Sequence, residues 1–178
     1  MADQRPRSQR PRKRGGKNRI AERAVAQRHN QHISALQEAL EPEALSLASS
    51  TPREDVVHQI RARATALARE RLDGEVEGVV EAALDEIFGL GPLEPLLRDG
   101  DVRTIRCVGA ELFANGEPVA RGFRDDDHAR RVFDRILAAV GRDLEASPEG
   151  VRVTMLDGSL VDARFDASGL VVDITRAA

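Results

Sequence analysis

Apolar residues recur at steps of three and four through the first half of the chain and at steps of two near its end. The two periods predict helices followed by strands. Residues 1–18 show neither period. Residues 19–40 carry Ile20, Val25, Ile33, Leu36 and Leu40 on a thin helical face, and Pro42 with Ser46 to Ser50 is expected to break it. Thr51-Pro52-Arg53-Glu54 reads as a helix start, with Thr51 as cap, Pro52 in the first turn and Glu54 closing a capping box. Val56, Val57, Ile60, Ala64, Leu67 and Ala68 give the next helix, interrupted at Asp73-Gly74. The cleanest helical stripe follows: Val76, Val79, Val80, Ala83, Leu84, Ile87 and Phe88. Gly89 is expected to end it in the left-handed conformation.

Beyond residue 100 the reading changes. Val102 to Val108 reads as a strand, and Leu112-Phe113-Ala114 and Pro118-Val119-Ala120 flank Asn115-Gly116, a tight-hairpin signal. Asp125 to Asp127 open a helix over 126–140, whose stripe is Ala129, Val132, Phe133, Ile136, Leu137 and Val140. Val151, Val153 and Met155, then Val161, Ala163 and Phe165, then Leu170, Val172 and Ile174 alternate around turns at Asp157-Gly158 and Ser168-Gly169. That pattern predicts a three-stranded antiparallel meander with one packed face. The expected organisation is a disordered tail over 1–18, a helical region over 19–98 and a small α+β domain over 99–178. In this C-terminal domain a single helix covers a mostly antiparallel sheet.

Composition narrows the functions. No apolar run reaches the roughly 18 residues of a membrane helix, and the basic start has no hydrophobic stretch after it, so a cytoplasmic protein is expected. One cysteine, Cys107, excludes an internal disulfide and a four-cysteine zinc site. With no Trp, no Tyr and five Phe, stacking on single-stranded nucleic acid is disfavoured. The net charge of −3 hides a division. Residues 1–28 hold ten basic and two acidic residues, while the rest of the chain is strongly acidic. An Arg-rich tail of this kind is too polar to order itself. Arg12, Lys13, Arg14 and Lys17 are its candidate contacts to an anionic partner, either nucleic acid or an anionic surface. A solvated tail, or one drawn to the acidic body of its own chain, explains the same charges.

Little else in the sequence points to chemistry. Gly15-Gly16-Lys17-Asn18 follows no strand and lacks the hydroxyl of a phosphate-binding loop. His29, His32, His58 and His128 have no ligand set at metal spacing and read as exposed helix residues. Cys107 reads as a buried small hydrophobe. The acidic run 125–127 reads as a helix cap rather than a cation site. No catalytic constellation, cofactor site or metal site is expected, and the chain is read as a non-enzyme.

One segment is more specific. Glu86-Ile87-Phe88-Gly89-Leu90-Gly91-Pro92-Leu93-Glu94-Pro95-Leu96-Leu97-Arg98-Asp99 resembles the signature that opens the N-terminal domain of type II/IV secretion ATPases, in particular the Tad pilus assembly ATPases of the CpaF type. The order continues through Asp101-Val102-Arg103-Thr104-Ile105, Phe123 to His128, Val140-Gly141-Arg142, the Leu156-Asp157-Gly158-Ser159 turn and Asp173-Ile174-Thr175-Arg176. The resemblance implies a PAS-like domain preceded by helices. On that alignment the chain ends where the RecA-like motor would begin, without Walker loops. Thr104, Val108, Thr154, Leu160 and Asp162 depart from the family pattern. Leu160 and Thr154 stand where the family has arginines, which removes cations that neutralise phosphate. The resemblance therefore implies a non-catalytic relative that acts by protein contact, with a full-length secretion ATPase or the inner-membrane platform as partner. It implies a location in the cytoplasm, peripheral to the inner membrane, and leaves homo-oligomerisation open. Leu90, Leu93, Leu96 and Leu97 are the candidate partner contacts, with packing into the chain's own core as the competing role.

Overall fold

The computed structural model describes residues 16–72, 74–147 and 149–177. The chain is α+β. Helices α1 (Gly16–Ala48), α2 (Arg53–Arg71) and α3 (Val76–Phe88) come first, followed by the short α4 (Leu93–Arg98). Strands β1 (Thr104–Val108), β2 (Glu111–Ala114) and β3 (Glu117–Pro118) precede α5 (Asp126–Ala139), and β4 (Val151–Thr154), β5 (Leu160–Asp166) and β6 (Gly169–Thr175) complete the sheet. All pairings are antiparallel, in the order β3-β2-β1-β6-β5-β4.

Two cores result. α1, α2 and α3 bury Ile33, Leu36, Leu40, Val56, Ile60, Val79, Val80 and Leu84 against one another. α5 lays Val132, Phe133, Ile136 and Leu137 on the sheet residues Ile105, Cys107, Val161, Val172 and Ile174. Burial of these apolar stripes is the main favourable term in each half.

The first helix differs from expectation. It runs through Pro42 to Ala48 and starts at Gly16, inside the stretch expected to be tail. Pro42 removes one backbone donor, at a cost of roughly 3 kcal/mol in a helix interior. Leu40 and Ala44, both buried on either side of it, hold the two halves in line against α2 and α3. Thr51 does not cap α2 either. Its N–H closes the end of α1 on Leu47 O at 2.9 Å, and Pro52 becomes the N-cap residue without a side-chain bond. The remainder of the expected tail, residues 1–15, lies outside the described residues.

The sheet follows the pattern more closely. Asn115 and Gly116 both take positive φ, 51° and 86°, as a two-residue hairpin requires. Asn115 Oδ1 also accepts the N–H groups of Arg103 and Thr104, which fixes the start of β1. Phe165 is the exception. Its place in the alternation puts it on the inner face, yet it is 46% exposed beneath the Arg130 guanidinium, 5.5 Å from the ring centroid.

Among the described residues, one buried side-chain polar atom on α1 is unmet. Gln37 lies three to four residues from Ile33 and Leu40, and its Oε1 is buried without a partner among the described residues. A buried unpaired acceptor costs about 1–3 kcal/mol, so Gln37→Leu is expected to stabilise the chain by about 1 kcal/mol. A urea titration with an unchanged slope checks this, and a lowered midpoint refutes it.

Candidate functional site

The signature segment begins on the last turn of α3. Val79, Ala83 and Glu86 share one face of that helix, and all three are buried. A carboxylate inside an apolar stripe needs partners. Glu86 finds them in the sheet half, just before α5 and in its first turn. Arg121 Nη2 donates to its Oε1 at 2.7 Å, and His128 Nε2 lies 2.9 Å from Oε2. The side chains of Glu86 and His128 are both about 5% exposed.

α5 positions the histidine. Asp125 caps this helix by accepting the His128 N–H at 2.7 Å, as the acidic run predicts. His128 Nδ1 accepts the N–H of Arg124 at 3.3 Å, so the ring proton belongs on Nε2, facing Glu86. Phe123 meets the imidazole edge-on, with centroids 5.2 Å apart. His128 is therefore a buried bridging residue, which corrects its reading as an exposed helix histidine. His58 is exposed, and His29 and His32 are half-buried on α1.

Gly91 makes room for this carboxylate. Gly89 has φ −124°, so it is not the left-handed stop expected of it. That role falls to Gly91, with φ 59° and its N–H bonded to Asp85 O at 2.9 Å. A Cβ on Gly91 would stand 2.7 Å from Glu86 Oε2, and one on Gly89 would meet Glu94. The ends of α3 and α4 are tied again by Asp85, whose buried carboxylate takes Arg98 Nη2 at 2.5 Å.

The electrostatics follow from burial and partners. Burial pushes the Glu86 carboxyl up, but the His128 hydrogen bond and the charges of His128, Arg121 and Arg124 outweigh it and hold it below the ordinary range. For Asp85 burial wins over Arg98, and its carboxyl is raised. Burial lowers the Arg121 guanidinium despite Glu86. The Glu86 carboxylate faces the Arg121 guanidinium on one oxygen and the His128 Nε2–H on the other, and it has almost no contact with solvent. Chemically this arrangement is a pin that holds the helical half to the sheet half, rather than an acid or base open to a substrate.

The leucines of the segment point the same way. Leu93 is fully buried in the sheet core, so it cannot touch a partner. This corrects its place among the candidate contacts. Leu90, Leu96 and Leu97 are half-buried and pack against the same core. Arg12, Lys13 and Arg14 lie outside the described residues, and Lys17 falls in the first turn of α1. Cys107 is buried, its Sγ bonded to Gly109 O, and burial followed by the charge of Asp126 pushes the thiol up to about 12. That makes it inert at neutral pH, as its strand position suggests. In the Asp157-Gly158-Ser159 turn, Asp157 accepts both the N–H and the hydroxyl of buried Ser159 at 2.9 Å. The turn is closed on itself.

Two of the open surfaces among the described residues lie on the sheet half. A cleft of about 900 Å³ separates α1, through Gln27, Asn30, Gln31 and Ser34, from Phe123 and Arg124 of the sheet half. Arg124 reaches Ser34 across it at 3.3 Å. The outer face of the sheet carries a charge ladder. Arg106, Asp173, Asp162 and Arg152 stand in one row across β1, β6, β5 and β4, and Arg164 bridges the two neighbouring aspartates at 3.4 and 3.7 Å.

No protein-family model matches the chain, and no curated protein matches it.

Proposed function

We propose that this chain is a non-catalytic relative of the secretion-ATPase N-terminal domain that acts by protein contact in a type II/IV secretion or Tad pilus assembly system. The observation that carries the reading is the behaviour of the signature segment. Residues 86–99 form a helix end, a glycine turn and a short docking helix, and they lock a helical unit to a small antiparallel sheet through Glu86. Such a body presents fixed surfaces and works by touching other molecules. Its partner is a full-length secretion ATPase or the membrane platform on which that ATPase acts, which puts its work at the cytoplasmic side of the inner membrane. The α1 cleft and the outer face of the sheet are the surfaces on offer, since the buried leucine is committed to the core. The experiment is to mix the purified chain with the full-length secretion ATPase of the same cell. Co-elution with an altered hydrolysis rate is expected. Separate elution with an unchanged rate overturns the proposal.

A further inference from the structure

The sheet has two edges, and they are built differently. At one edge β3 is two residues long and contains Pro118, the usual protection against unwanted pairing. At the other edge β4, Val151–Thr154, has neither a proline nor an inward-pointing charge. Met155 N–H bonds Ser159 O at 2.8 Å, so Val151, Val153 and Met155 turn their backbone groups toward β5. The intervening Arg152 and Thr154 turn theirs outward, away from the sheet.

From this edge we infer that β4 pairs antiparallel with β4 of a second copy of this chain, about a two-fold axis at Val153. The register is set by side-chain alternation. Directly opposed residues in an antiparallel pair share a face, so centring on Val153 sets Arg152 against Thr154 of the second copy, and Val151 against Met155. The inner apolar face continues across the junction through residues that already point inward. Each Arg152–Thr154 pair exchanges two backbone hydrogen bonds through the groups that face outward. Centring on Arg152 would instead oppose two guanidinium groups, which is unfavourable.

Charge agrees with the first register. Arg152 is neutralised within its own copy by Asp162, so no bare charge lies at the seam. Two four-residue strands bury less than the roughly 1,200–2,000 Å² of a standard stable interface, so the dimer is concentration-dependent. The pairing is independent of the role proposed above.

The test uses the whole chain across a wide concentration range. Sedimentation is expected to move from the 19.5 kDa monomer toward twice that mass. Over the same range the amide exchange of Arg152 and Thr154 is expected to slow about tenfold or more, while that of Val153, already bonded to β5, stays constant. Thr154→Pro removes an outward-facing N–H that the β5 ladder does not use, so it is expected to abolish the dimer and leave the sheet intact. The exchange measurement on the unaltered chain stands even where that variant does not fold. A monomer whose two amides stay unprotected at every concentration overturns the inference. So does association that leaves their exchange unchanged, and so does protection that appears only when a different protein is added.

Discussion

Glu86→Ala is expected to destabilise the chain by about 3–5 kcal/mol, the usual cost of removing one member of a buried ion pair. The loss has two components. Arg121, four-fifths buried, is left without its carboxylate, and His128 is left with an unpaired Nε2–H in the interior. The cavity beside Gly91 adds a smaller term. Glu86→Gln is expected to cost less but not to be silent. Its Oε1 still serves Arg121, while its amide sets a donor against the His128 donor. Urea titration measures both variants. An unchanged midpoint for Glu86→Ala would show that the junction carries no energy. The pH dependence has a definite sign. The Glu86 carboxyl is held below its ordinary 4.5, so its contribution is complete above that pH and is lost as pH falls through the folded value. The gap between the natural chain and Glu86→Ala should therefore close in acid. Asp85 works in the opposite sense, because its raised carboxyl makes folding easier as it takes up a proton.

Most of the fold is legible as periodicity because most elements bury one stripe or one face. α3, α5 and the β4-β5-β6 meander meet that condition, and the helix and strand patterns place them within a few residues. The failures occur where tertiary contact outweighs a local signal. Pro42 ought to end a helix, but buried neighbours on both sides keep α1 intact. Thr51 has the chemistry of a cap, but its backbone is engaged by the helix before it. Phe165 has the alternation of a core residue, but it stands beneath Arg130 with nearly half its surface in solvent. The junction is only half visible in the sequence. A glutamate at the inner position of the α3 stripe signals a buried partner. Nothing in sequence spacing connects Glu86 to Arg121 and His128, more than thirty residues away, because only the tertiary fold brings them together. The charge ladder is hidden for a related reason. Arg106, Asp162 and Asp173 become neighbours only through strand register.

Leu93→Ala is expected to cost about 2–5 kcal/mol, the range for a leucine removed from a packed core. Leu93 is the sole fully buried residue that α4 contributes, so its side chain is what seats this six-residue helix on the sheet. Without it, α4 keeps only the half-buried Leu96 and Leu97, and the backbone turn at Gly91 loses the anchor that follows it. Glu94, which accepts the Leu90 N–H at 2.9 Å and lies against Gly89, would shift with the helix. The effect should therefore spread to the Glu86 junction, and Leu93→Ala combined with Glu86→Ala should cost less than the two separate losses together, as coupled sites do. Leu96→Ala and Leu97→Ala remove less buried surface and should each cost less than Leu93→Ala. This ordering separates the two roles a leucine-rich signature can have. A partner contact would leave the denaturation midpoint unchanged when truncated and weaken only association. A core anchor shifts the midpoint in the absence of any partner. Full burial of Leu93 requires the second outcome, and an unshifted midpoint would remove α4 from the set of elements that hold the two halves together.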